Sequence, residues 1–194
     1  MTRSFSLLTV CGLDELDSHA DRGVTHVLSI LDPAREDHPA FGRYGDHSRL
    51  VLRFHDDIEP SEGIVLPERA DVEAILAWGR DAYAEQGERH LLVHCHMGIS
   101  RSTAAMAMLL AQAHPDESEA GIAARVRTIR PIAWPNLRMT EFADEILGRG
   151  GRLVAAAATL YAGNLARKPE LVEIMTRLNR SREVALGLAA VPAP

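Results

Sequence analysis

Between Leu91 and Ala111 the chain changes hydrophobic rhythm across a nine-residue loop, and this constrains the fold more than any other stretch. Leu91-Leu92-Val93 is a short apolar run of the kind that forms a buried strand. Thr103-Ala104-Ala105-Met106-Ala107-Met108-Leu109-Leu110-Ala111 is a strong helix former. Between them lies His94-Cys95-His96-Met97-Gly98-Ile99-Ser100-Arg101-Ser102. A loop that joins a strand end to a helix start carries free backbone N–H groups at the positive end of the helix dipole, which makes an anion site. Gly98 permits a tight turn there. Arg101, separated from Cys95 by five intervening residues, can grip two oxygens of one phosphate in a fork. Cys95 then sits beneath the phosphorus.

A free cysteine has a pKa of about 8.5, falling to roughly 3.5–7.5 at helix N-termini beside cations. The loop that attracts phosphate therefore also favours a thiolate at Cys95, a candidate nucleophile. His94 is a candidate for ordering the loop. The Ser102 hydroxyl can hydrogen-bond the sulfur and help expel it from a thiophosphate intermediate. A lone cysteine after an apolar strand is ordinarily a core residue, but the coincidence of His94, Gly98, Arg101 and Ser102 favours the chemical reading. Zinc binding by His94, Cys95 and His96 is disfavoured, because adjacent strand residues face opposite sides.

The loop resembles the His-Cys-x5-Arg-Ser phosphate loop of the cysteine-dependent protein tyrosine phosphatases, closest to the small dual-specificity branch. Gly23-Val24-Thr25-His26-Val27-Leu28-Ser29-Ile30 resembles the second strand of that branch. Val126-Arg127-Thr128-Ile129-Arg130-Pro131-Ile132-Ala133-Trp134-Pro135-Asn136 resembles its downstream arginine-to-Pro-Asn segment, although Trp134 departs from the pattern. The matches cover about residues 5–148. The resemblance implies a phosphomonoester hydrolase with a phosphocysteine intermediate. His96, Met97, Gly98, Ile99, Ser100 and Arg101 would form its phosphate cradle. No cofactor or metal is implied, because the loop itself supplies the charge stabilisation.

The resemblance also implies a general acid on the loop after the third strand, here within His55-Asp56-Asp57-Ile58-Glu59-Pro60. Asp56 continues the alternation of Leu52 and Phe54 and matches the family position best. Asp57 is the alternative, since register after a strand end slips easily. Asn136 is read either as a hydrogen-bond partner near the phosphate loop, as in the family, or as the cap of the next helix. Arg130 and His96 are read either as substrate contacts or as solvated or structural residues.

Strands are expected at Phe5–Val10, Val24–Ile30, Leu50–Phe54 and Leu91–Val93, with Asp32-Pro33 turning the chain after the second. Ala34–Ser48 reads as loop with a short helix. Further helices are expected from Pro67 to Gly87, over Ser102–Ala113, Glu117–Ile129 and Met139–Leu147. Alternation of strands and helices predicts an α/β fold, with a mainly parallel central sheet of about four to five strands flanked by helices. Gly148-Arg149-Gly150-Gly151 marks the end of a catalytic domain at 1–148. Residues 149–194 then form a helical extension packed on the core, with helices at Leu153–Ala162 and Pro169–Leu178 and a frayed end at Val191–Pro194.

The net charge of −6 argues against nucleic acid or an anionic membrane as the main partner. The substrate expected is a phosphorylated protein or a small phosphomonoester. The N-terminus has no signal-peptide layout, and two cysteines, Cys11 and Cys95, make no disulfide framework, so a cytoplasmic location is expected. Lys168 is the only lysine against a large arginine content, which hints at a GC-rich bacterial genome. The low-molecular-weight phosphatase arrangement is excluded, because Asp17 stands where the arginine of an N-terminal Cys11 loop would fall. A sulfurtransferase or arsenate reductase is disfavoured by the upstream acid. The absence of lysine in the loop lowers the odds of a highly charged inositol lipid. A non-catalytic phosphate-binding module is the rival from another class.

Overall fold

The computed structural model describes residues 5–190, so the expected fraying at Val191–Pro194 lies outside the described residues. Four strands, β1 (Leu7–Cys11), β2 (His26–Leu31), β3 (Ser48–Arg53) and β4 (His90–His94), form one parallel sheet in the order β1-β4-β2-β3. The interior strands β2 and β4 are buried along their whole length. This is the reason they read as continuous apolar runs rather than alternating ones. Parallel pairing requires crossovers, and these place helices on both faces. Short 3₁₀ segments at Leu13–His19 and Pro39–Arg43 follow β1 and β2.

The helices are α1 (Arg69–Ala84), α2 (Arg101–Ala113), α3 (Glu119–Ile129), α4 (Leu137–Ile146), α5 (Arg152–Arg167), α6 (Leu171–Arg177) and α7 (Ser181–Ala189). The expected start at Pro67 is two residues early. Glu68 is the N-cap of α1, its N–H bonded to the Asp71 carboxylate at 2.8 Å. Ser118 caps α3 and Asn136 caps α4 through their side chains. The apolar face of α2 is central to the main core, where Met106, Leu109 and Leu110 meet Ile75, Leu91 and Val93. None of the helices among the described residues is long and apolar enough to cross a membrane.

The Gly148–Gly151 segment is a tightly bonded corner. Buried Arg149 donates to the carbonyls of Ala111 and Pro115 and to Glu119. The Asp144 carboxylate accepts from the amides of Gly151 (2.5 Å) and Leu153 (2.7 Å), capping α5 from the preceding helix. Helix α5 packs against α3 and α4, and α7 lies along α5. The sequence pattern shows α5 and α6, α5 running five residues beyond its expected end, but not α7.

Candidate active site

The loop after β4 is shaped by what its carbonyls bind. The His96 carbonyl accepts from the Leu13 amide (2.9 Å), Met97 from Arg130 Nη2 (3.0 Å), and Ile99 from the Trp134 amide (2.9 Å). The Ser100 carbonyl accepts from the amides of Asn136 (3.3 Å) and Ala104 (3.0 Å). A trans peptide points its C=O and the following N–H in opposite directions. Outward carbonyls therefore turn the amides of Met97, Gly98, Ser100 and Arg101 toward the concave side of the loop, an anion nest at the N-terminus of α2. Gly98 has φ +67°, and a Cβ there would stand 2.6 Å from the Cys11 carbonyl oxygen. No other residue fits that conformation and that space.

At the base of the nest is Cys95, 1% exposed, its Sγ 3.2 Å from the Ser102 hydroxyl. Arg101 is also buried. Its Nη1 donates to Asp32 Oδ1 (2.7 Å) and to the Phe54 carbonyl (2.6 Å). Its Nε is buried with no hydrogen-bond partner among the described residues, a donor available to an oxyanion. His96 Nδ1 lies 3.5 Å from the other Asp32 oxygen, and burial lowers the imidazole pKa. His94 is fully buried, 2.7 Å from Ser29 Oγ, and burial pushes it down to about 3. At that value the imidazole carries no charge near neutral pH. Met97, in contrast, is exposed at the rim.

The two acids differ in their surroundings. One oxygen of the Asp56 carboxylate accepts from Ser100 Oγ (2.7 Å) and Asn136 Nδ2 (3.0 Å) and lies 3.4 Å from Arg180 Nη1. Burial pushes this carboxyl up, but the guanidiniums of Arg180 and Arg101 and the two hydrogen bonds outweigh it and hold it below the usual range. The structure thus brings Asp56 to the phosphate loop. Asp57 contributes its carbonyl to Asn136 (3.4 Å). Asn136 Oδ1 caps α4 at Met139 N (3.1 Å) while its amide nitrogen donates to the Asp56 carboxylate.

Arg130, a candidate substrate contact, is instead held bidentately by Glu15 at 2.9 Å on both oxygens and braces the loop through Met97. Cys11, distant in sequence, is brought beside the loop, since β1 pairs Cys11 with His94. Burial pushes its thiol up to about 12, so it remains protonated.

Three participants escaped the sequence reading. Asp32 was legible only as a turn residue. Arg180 and Glu183 belong to the unexpected α7, and no local pattern ties them to Ser100. One signal did exist: Trp134 departs from the family pattern. Trp134 is buried against Tyr161 of α5, and its indole N–H donates to Glu183 (2.6 Å). The Tyr161 hydroxyl donates to the Pro135 carbonyl, and Asn164 donates to that of Ala133 (2.8 Å). The C-terminal helices therefore grip the 131–136 segment, which in turn holds the loop.

No family model matches this sequence, and no curated protein matches it. Solved structures do share the fold. Human DUSP28 is 19% identical, with 74% of this chain and 95% of that chain covered and a TM-score of 0.54. Tk-PTP in its active form is 21% identical, with 74% and 93% covered and a TM-score of 0.53. A human tyrosine phosphatase-like serine/threonine/tyrosine-interacting protein is 18% identical, with 72% and 86% covered and a TM-score of 0.51. The chain has the α/β fold of dual-specificity phosphatases, and a fold does not by itself carry an activity.

Proposed function

We propose that this chain is a phosphomonoester hydrolase acting through a cysteinyl-phosphate intermediate, as a protein tyrosine or dual-specificity phosphatase. The observation that carries the reading is the loop after β4, its carbonyls bonded to the surrounding scaffold, with buried Cys95 at its start and the unpartnered Nε of Arg101 at its end. The Cys95 thiolate attacks phosphorus while Arg101 and the amides hold the equatorial oxygens, which gain charge in the transition state. As the phosphorus–oxygen bond breaks, Asp56 gives its proton to the leaving oxygen. Water then attacks the phosphocysteine and loses a proton to the Asp56 carboxylate. The sulfur–phosphorus bond breaks, and its electron pair returns to Cys95, which the Ser102 hydroxyl stabilises.

Hydrolysis of an aryl phosphate tests the reading. Cys95→Ser is expected to abolish turnover while binding of inorganic phosphate survives. Near wild-type turnover by Cys95→Ser, or an inert wild type that still binds phosphate, would overturn it, the second outcome leaving a phosphate-binding module. A small phosphomonoester is the other substrate class. Turnover of phosphopeptides compared with nucleotide, sugar and inositol phosphates separates the two.

A further inference from the structure

The C-terminal helices place a charged side chain in the site. Arg180 lies in the turn before α7, preceded by Asn179 with φ +59°, a left-handed conformation that asparagine tolerates better than most residues. The Arg180 side chain is 7% exposed. Its Nε and Nη2 donate to the two oxygens of Glu183 (2.6 and 3.0 Å), which fixes the plane of the guanidinium. Glu183 is in turn fixed by Trp134 and by the Leu137 amide (2.9 Å). The remaining donors face the site. Nη2 also donates to Ser100 Oγ (2.7 Å), and Nη1 lies 3.4 Å from Asp56 Oδ1. Ser100 donates to that same Asp56 oxygen, so the three side chains close a triangle.

We propose that Arg180 is a positioning residue of the active site, clamping Ser100 of the phosphate loop and the carboxylate of Asp56 to the C-terminal helices. The proposal rests on the assignment of Asp56 as proton donor. A buried ion pair alone is weak evidence for a contribution to stability. Here, however, the free edge of the guanidinium meets the two side chains that join the phosphate loop to the acid.

The clamp has a cost with a definite sign. A proton donor must be protonated when the leaving group departs, and a guanidinium beside it opposes protonation. The groups acting on Asp56 are Ser100, Arg101 and His96 from the loop, Asn136 from the start of α4, Tyr161 from α5, and Arg180 from the start of α7, itself paired with Glu183. Arg180 and Arg101 are the cations that outweigh burial. Removing Arg180 therefore moves the ionisation of Asp56 upward while loosening its position.

The test combines a pH–kcat profile on an aryl phosphate with carbon-13 NMR titration of the Asp56 carboxyl in the phosphate-free protein, its signal assigned by Asp56→Asn. Arg180→Met is expected to raise the Asp56 pKa and the alkaline limb of kcat together, by about one unit or more. It should also lower kcat at the optimum by roughly tenfold, as misplacement does. Arg180→Lys keeps the charge without the fork, so it should lower kcat with a smaller shift, and it serves if Arg180→Met does not fold. In the Asp56→Asn background, replacing Arg180 should cost kcat little more. Arg177→Ala, exposed on α6 and paired with Glu173 of the same helix, should leave the profile unchanged. An Asp56 pKa and alkaline limb that stay fixed in Arg180→Lys and Arg180→Met, with lost stability alone, would overturn the proposal. An inert wild type whose Asp56 still shifts with Arg180 would count against the hydrolase reading and leave the clamp standing as a phosphate-site device.

Discussion

Replacing Glu183 by alanine tests whether the C-terminal helices are integral to the fold. Glu183 is fully buried and its two oxygens accept from four donors: Trp134 Nε1, Leu137 N, and Nε and Nη2 of Arg180. Removing one partner of a buried ion pair typically costs about 3–5 kcal/mol, because the other charge stays buried. The Trp134 and Leu137 donors are orphaned as well, at about 1–3 kcal/mol each, though such terms do not add within one network. Arg180 keeps Asp56 and Ser100, which limits the loss. The expected destabilisation is therefore about 3–5 kcal/mol, or roughly 6–20 °C in Tm for a chain of this length. Urea unfolding followed by tryptophan fluorescence is well placed to read it, since Trp134 is one of two tryptophans. Far-UV circular dichroism should give the same midpoint, because α5 packs on α3 and α4 and α7 packs on α5. Glu183→Gln, which keeps an acceptor, should lose less. A Glu183→Ala protein within about 1 kcal/mol of wild type, or separate transitions for the two probes, would refute the reasoning.

The pH–rate profile should be bell-shaped with an acidic optimum, because Asp56 must be protonated and its carboxyl lies below the usual range. Asp56→Asn should lower kcat by roughly 10²–10⁴-fold and flatten the alkaline limb, with a smaller loss on p-nitrophenyl phosphate, while Asp57→Asn does little; the reverse result exchanges the two roles. Asp32→Ala removes one of the two acceptors of Arg101 Nη1, so kcat/KM should fall by about 10–100-fold, and Tm should fall as well because the guanidinium stays buried without its carboxylate; unchanged kinetics would show that the Phe54 carbonyl suffices to orient the guanidinium. On the hydrolase reading, peroxide should abolish turnover in a manner protected by phosphate. Cys11→Ser should not change the inactivation rate, because the Cys11 thiol stays protonated; a changed rate would place Cys11 in the reaction.

What the sequence made legible is what short-range pattern encodes. The strand, loop and helix around Cys95 lie within about two dozen residues, and their periodicity and glycine state the geometry directly. The parallel sheet followed from buried apolar runs alternating with helices. The unread parts depend on long-range pairing. Asp32 looks like a turn residue until the sheet brings Arg101 to it, and Arg130 looks free for substrate until Glu15 takes both of its terminal nitrogens. Helix α7 is short and follows a left-handed asparagine, so neither length nor a glycine stop announces it. Its role was visible only as an oddity elsewhere, the tryptophan at 134.

The close seating of Gly98 against Cys11 and Gly12 also bears on the order in which the chain folds. The loop is braced by Leu13 from the start of the chain and by Arg130, Trp134 and Asn136 from well beyond it. None of these braces is local, so the loop closes only after distant contacts have formed, the slow part of folding for a parallel topology. On the proposed reading, anion binding is then a property of the completed molecule, and a phosphate-like ligand would stabilise the native state alone. Recovery of phosphate affinity during refolding should accordingly lag behind recovery of helix signal. The nucleophile would become chemically competent only once the surrounding scaffold is finished.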